Sequence, residues 1–233
     1  MSVDLVWLVR RGPNEPLRYS LRSLTENIEH RGVHVIGNPP SWFTGHMVRP
    51  RMRPGKYGNT RISMRMACDD PQISAQFVYC NDDFFLFKSA QVPVLNRGPL
   101  AKTIEQFKAS RTECDWARGA TETLELLRAE GIDSPLNFEM HVPLVIDKAV
   151  MRRALQIIDA STARVPYMRT LYGNLAGLKG RTVKDPKVFT AKEPVPRGPW
   201  MSTDNRSWPG VAGEHVRATF PTPSIYELSG SGR

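Results

Sequence analysis

Four groups of polar residues have types and spacings that could do chemistry. The sharpest is Asn81-Asp82-Asp83, which directly follows the apolar run Phe77-Val78-Tyr79-Cys80. Two adjacent carboxylates at a strand's end repel each other unless a cation or hydrogen-bond donors neutralise them. A hard divalent ion does this, because Mg²⁺ and Mn²⁺ take few protein carboxylates and complete their shells with water and phosphate oxygens. The same pair also suits plain turn chemistry, with the side chains capping nearby amides. The second group is Arg18 and Arg22, four apart on one helix face in Leu17-Arg18-Tyr19-Ser20-Leu21-Arg22-Ser23. Together they could reach one anion, or form a solvated stripe opposite the leucines. Third, Glu139 and His141 would share one strand face and could supply a metal ligand or a base; a packed loop histidine is the plainer alternative. Fourth, Asp204 sits in the polar loop Trp200-Met201-Ser202-Thr203-Asp204-Asn205, with Arg197 and Arg206 near it.

The elements that must position these groups follow from periodicity. Val3 to Val9 reads as a buried strand ended by Arg10-Arg11-Gly12-Pro13. Asn14 is placed to cap a helix with Pro16 in its first turn, and Leu17, Leu21, Leu24 and Ile28 form its apolar stripe. Gly32 should close that unit, before a short strand over Val33 to Ile36 and a Pro/Arg-rich loop to about Gly58. A helix from Asn59 to Cys68, stopped by Pro71, then precedes the strand Phe77 to Cys80. Strand, helix, strand, helix, strand is the order of an α/β protein with a mostly parallel sheet, whose ligands bind beyond the carboxyl ends of its strands. Helices are expected over about 101–109, 116–130 and 148–158, with an interrupted apolar stretch from Leu136 to Ile146. The last third is cut by eight prolines into irregular pieces, with one further helix expected from Val211 to Phe220.

Composition narrows the classes. Of 233 residues, 40% are hydrophobic and 24% charged, which suits a chain able to bury a continuous core. The 32 Lys+Arg against 23 Asp+Glu give a net charge of +9. That excess is uneven: residues 1–66 balance at +7, 67–150 at −5 and 151–233 at +7. Basic flanks around an acidic middle suit a phosphate-bearing substrate with a carboxylate-held metal; solvated surface charge accounts for them equally. Cys68, Cys80 and Cys114 are odd in number and never spaced as CxxC, so a reducing, cytoplasmic setting is expected without a disulfide framework. The apolar run Leu5 to Val9 is too short for a signal or a membrane span. No GxSxG, Walker A, HExxH or GxGxxG pattern occurs, which argues against the enzyme classes that depend on them.

Taken in order, the motifs resemble those of the Stealth family of nucleotide-sugar-dependent transferases. Pro16 through Leu24, then Val33-His34-Val35-Ile36 and Pro40-Ser41-Trp42-Phe43, are similar to the family's second region. Asn59 through Asn81-Asp82-Asp83 is similar to its third, and His141-Val142-Pro143 through Asp147-Lys148 and Met151 to the start of its fourth. Ser202-Thr203-Asp204 and Phe220 through Glu227 look like small phage-encoded members described as glycosyltransferases. The chain departs from the family after its first strand, where Trp7-Leu8-Val9-Arg10-Arg11-Gly12 stands in place of a WVDG-like turn.

The resemblance implies a GT-A-like nucleotide-sugar fold. It implies a binding core over 1–160 and an irregular extension over 161–228 that completes the site, while Ser229-Gly230-Ser231-Gly232-Arg233 by its composition reads as a flexible tail over 229–233. Asp82 and Asp83, with His141, would hold Mn²⁺ or Mg²⁺, and His141, Asp83 and Asp204 would serve catalysis. Arg18, Tyr19, Arg22, Asn59, Asn81 and Glu139 would bind the donor. A sugar would pass from a nucleotide-diphosphate donor to a protein or glycan acceptor; the missing first-region acid favours this over sugar-1-phosphate transfer. Nucleic-acid binding through the basic flanks is the rival from another class.

Overall fold

The computed structural model describes residues 3–12, 14–50 and 56–228. Pro13, part of the Pro/Arg-rich loop (51–55) and the Gly/Ser tail (229–233) lie outside them. The elements in chain order begin with β1 (Val3–Val9), α1 (Glu15–Asn27), β2 (His30–Gly37), β3 (His46–Val48), α2 (Lys56–Asp69), β4 (Gln76–Cys80) and β5 (Phe84–Leu86). They continue with β6 (Leu95–Asn96), α3 (Leu100–Ala109), α4 (Asp115–Ala129), β7 (Leu144–Asp147), α5 (Lys148–Ala160) and α6 (Met168–Leu175). The last are β8 (Arg181–Thr182), β9 (Trp200–Ser202) and α7 (Val211–Thr219). The chain divides into two compact units, one of Met1–Val92, His141–Ile146 and Pro186–Arg233, the other of Pro93–Met140 and Asp147–Asp185.

The first unit is α/β. Its five-stranded sheet has the order β3-β2-β1-β4-β7, and β3, β2, β1 and β4 run parallel. Leu5, Val6, Trp7, Val35, Ile36, Phe77 and Val78 are fully buried or nearly so, as expected for strands covered on both faces. The leucine stripe of α1 is buried completely at Leu17, Leu21 and Leu24, each contributing about 1.5–3 kcal/mol of apolar burial. Because β2 lies on one side of β1 and β4 on the other, the strand order reverses at β1. In open α/β sheets, ligands bind outside the carboxyl ends of the strands at such a reversal, here those of β1 and β4. Gly37, at the end of β2, lets that strand lie close against the end of β1. Its φ is +125°, and a Cβ there would collide with the Val9 carbonyl oxygen. The unit also contains an antiparallel pair, β5 with β9, packed over a cluster of Phe85, Val188, Met201, Trp208, Ala212, Val216 and Phe220.

The second unit packs α3 against α4, α4 against α6 and α5 against α6, with β6 and β8 as a short parallel pair. Asp147 caps α5, its carboxylate accepting from the backbone amides of Ala149 and Val150. The Asp-Lys motif therefore begins with a helix cap.

Several local expectations are corrected. Asn14 precedes α1 but makes no side-chain capping bond. Gly32 lies inside β2 rather than ending the helix, which stops at Asn27 because Ile28 is already extended. Residues 138–143 are not strand, so Glu139 and His141 do not share a strand face, and β7 begins only at Leu144. The last third is not irregular up to Val211, because it contains α6. Gly173 inside that helix is a close-packing position: Phe138 lies on it, 2.5 Å from where a Cβ would stand.

Candidate functional site

The NDD turn lies at the carboxyl end of β4 beside the end of β1. Three side chains of α1 tie the surrounding elements together. Trp7 Nε1 donates to Ser20 Oγ at 2.9 Å, and Ser20 Oγ donates onward to the Asn81 carbonyl at 3.2 Å. Ser23 Oγ accepts from the Leu86 amide at 3.4 Å, and Asn27 Nδ2 donates to the Leu86 carbonyl at 3.1 Å. Ser20 and Ser23 are fully buried. Serines on an apolar helix face are thus explained: they fix β1, the turn and β5 to one another.

The turn is closed by the Phe84 amide, which donates to the Asn81 carbonyl at 3.4 Å. Asn14 Nδ2, instead of capping its helix, donates to Asp82 Oδ2 at 2.7 Å. Burial, then the neighbouring Asp83 charge, pushes the Asp82 carboxyl up to about 6, even though Asn14 and Arg10 favour its anion. Asp83 Oδ2 forms an ion pair with Lys187 Nζ at 3.4 Å. Asp83 Oδ1 is buried with no hydrogen-bond partner. A carboxylate oxygen left this way is costly, and a divalent cation would satisfy it. The donor set therefore fits a hard ion held by Asp83 and Asp82. Among the described residues, no three of His, Cys, Asp and Glu gather into a ligand cluster, so solvent or substrate oxygens would have to complete the shell.

Pairing of β5 with β9 sets Phe84 opposite Ser202 and brings the Ser202-Thr203-Asp204 loop to the turn. The Thr203 amide donates to the Asp83 carbonyl at 3.3 Å, while Thr203 Oγ1 is buried and unpartnered. Asp204 turns into its own loop. It accepts from the Arg206 and Ser207 amides and from the Arg206 guanidinium at 3.1 Å. Burial opposes its ionisation, but these donors hold the carboxyl below its ordinary range. Next to it, Asn205 Oδ1 accepts from Arg10 at 3.0 Å. The ring of His141 meets Phe84 edge-on, with centroids 6.4 Å apart.

Arg18 and Arg22 converge on a carboxylate of the chain itself. Arg22 donates to Glu227 from Nε at 2.7 Å and from Nη2 at 2.8 Å, and from Nη1 to the carbonyls of Phe220 and Pro221. Arg18 Nη1 donates to Glu227 Oε2 at 2.9 Å and lies 4.3 Å over the Trp42 ring. Burial works against the Glu227 anion, but Arg22 and the Ser224 amide keep its pKa low. The Arg-rich motif thus anchors the C-terminal segment. Tyr19 packs on Trp208, with ring centroids 5.6 Å apart, and under Arg22. Glu139, in the other unit, accepts from the Thr170 amide near the start of α6 at 3.0 Å. Asn59 lies in the first turns of α2.

Arg10, Lys187, Thr203 and Glu227 are site or anchoring residues that sequence reasoning missed. Arg10 had one usable signal, since it immediately follows a strand adjacent to β4. Lys187 had none.

No family model matches this chain, and no curated protein matches it. The likeness to Stealth proteins therefore stands on the motifs alone. Among solved structures, the fold is similar to the apo structure of WbbM, a bifunctional glycosyltransferase, at TM-score 0.45 and 11% identity. The match covers all of this chain and 46% of that one, so the chain spans about half its length.

Proposed function

We propose that the chain is a metal-dependent, GT-A-like glycosyltransferase, moving a sugar from a nucleotide-diphosphate donor to a protein or glycan acceptor. The observation that carries this reading is the Asp82-Asp83 pair at the point of strand-order reversal, with Asp83 Oδ1 buried and unpartnered. The ordered Stealth-like motifs support it. Asp83 and Asp82 would hold Mn²⁺ or Mg²⁺, with Asn14 orienting Asp82. When bound, the ion supplies Lewis-acid stabilisation of charge growing on the leaving nucleoside diphosphate.

The remaining work falls to the chain. The sugar's anomeric carbon loses its bond to the diphosphate oxygen and gains one to the acceptor oxygen. The acceptor's proton goes to the imidazole of His141, beside Phe84. Asp204, saturated by its own loop, shapes the wall next to Asp83 instead of exchanging protons. Arg10 stands after β1 where Stealth proteins have an acid, which favours glycosyl over sugar-1-phosphate transfer.

The test is product analysis of purified protein with a panel of nucleotide sugars, with Mn²⁺ or with chelator. Metal-dependent release of nucleoside diphosphate is expected. Release of nucleoside monophosphate would replace this reading by sugar-1-phosphate transfer. Steeply salt-dependent duplex binding without turnover would replace it by a nucleic-acid module.

A further inference from the structure

We infer that Lys187 and Arg10 are the diphosphate-binding cations of this site, and that they make it take metal and donor as a pair. The inference rests on the metal-and-donor reading above.

The Lys187 side chain is only 12% exposed, and its ion pair among the described residues is with Asp83. A buried ammonium needs such a partner. It is also held in place from behind. The Val188 amide donates to the Ser202 carbonyl at 2.8 Å and the Ser202 amide to the Pro186 carbonyl at 3.3 Å. Lys187 is thereby strapped to β9 on both sides, with its ammonium at Asp83 Oδ2. Arg10 is exposed and held by Asn205, and its charge reaches Asp82. Arg18 and Arg22, the arginines the motif offers for phosphate, both face Glu227.

The charges then dictate the coupling. With both carboxylates ionised, the two acids and the two cations cancel. A divalent ion alone would leave two uncompensated positive charges among partly buried side chains. The bridging diphosphate of a nucleotide sugar alone would leave two negative ones. Together they restore neutrality, so each should raise the other's affinity by the same factor. Lys187 neutralises Asp83 from Oδ2, and an ion held at Oδ1 would leave its ammonium charge to be met by a phosphate oxygen.

Titration calorimetry on the full chain tests this with Mn²⁺ alone and with UDP, ADP, GDP and CDP in saturating Mn²⁺, using wild type, Lys187→Met and Arg10→Gln. Lys187→Met should bind Mn²⁺ alone about tenfold more tightly, because the competing ammonium is gone, and the best nucleoside diphosphate about tenfold more weakly. Arg10→Gln should weaken the diphosphate as well. Lys187→Arg, which keeps the charge, should hold most diphosphate affinity and serves if Lys187→Met fails to fold. Unchanged or weaker Mn²⁺ binding in Lys187→Met, or unchanged diphosphate binding in both Lys187→Met and Arg10→Gln, would overturn the inference while leaving the reading beneath it intact. Absence of Mn²⁺ binding by wild type, even with diphosphate, would instead sink that reading and this inference with it.

Discussion

Replacing Asp82 with asparagine should stabilise the ion-free protein at neutral pH while removing a group proposed to hold the ion. In the folded state, burial and the Asp83 charge lift the Asp82 carboxyl from 3.8 to about 6. The folded chain therefore holds this proton more tightly than the unfolded chain does. Stability from this group is fully present below about 4 and is lost as pH rises through about 6. A gap of about two pKa units corresponds to roughly 3 kcal/mol of electrostatic cost at pH 7.5. The substituted amide keeps a carbonyl oxygen to accept from Asn14 and carries no charge. The Asp82→Asn variant should thus exceed wild type by about 1–3 kcal/mol at pH 7.5, with the advantage shrinking toward zero near pH 4. Urea denaturation in chelator at pH 4.5, 6 and 7.5 reads this directly. Added Mn²⁺ with nucleoside diphosphate should reverse the order at pH 7.5 by stabilising only wild type. An equal offset at every pH, or a variant that is weaker at 7.5 than at 4.5 relative to wild type, would refute the reasoning.

Glu227→Ala should cost about 3–5 kcal/mol in urea denaturation, since it leaves the buried Arg22 guanidinium without its counter-charge. The double variant Arg22→Met, Glu227→Leu should recover most of that loss, and failure to recover would assign the cost to packing. Asp4 is fully buried and accepts from Arg31 and from the amide and hydroxyl of Ser74, donors that outweigh burial and hold its carboxyl well below the usual range. Its stabilisation is present above about pH 4 and lost as pH falls below that, so Asp4→Asn should lower the melting temperature at pH 7 and flatten the acid limb of a stability profile. His141→Asn should lower kcat without changing Mn²⁺ affinity, as measured by steady-state kinetics and calorimetry.

Local pattern made part of this legible. The leucine spacing of α1, the apolar run of β4 and the carboxylates after it each lie within a few residues, and the alternation of elements gives the parallel sheet. What was hidden depends on distant pairings. Arg22 and Glu227 are 205 positions apart, so nothing near Arg22 announces that its anion comes from the chain itself. Asn14 has the residue type and place of a helix cap, but β4 lies next to β1 and offers it a carboxylate instead. Lys187 reaches Asp83 only because β9 pairs with β5, a strand of three residues in a proline-rich stretch. Helix α6 is short and carries in its interior Gly173, a poor helix former whose missing side chain makes room for Phe138.

The central claim is that Asp82 and Asp83 grip a divalent ion together with a donor's diphosphate. Water-proton relaxation of Mn²⁺ with wild type and Asp83→Asn, in the presence of each nucleoside diphosphate, tests it most directly. One ion per wild-type chain, at least about tenfold weaker in the variant, is the predicted result. Equal affinity in the two proteins would contradict it.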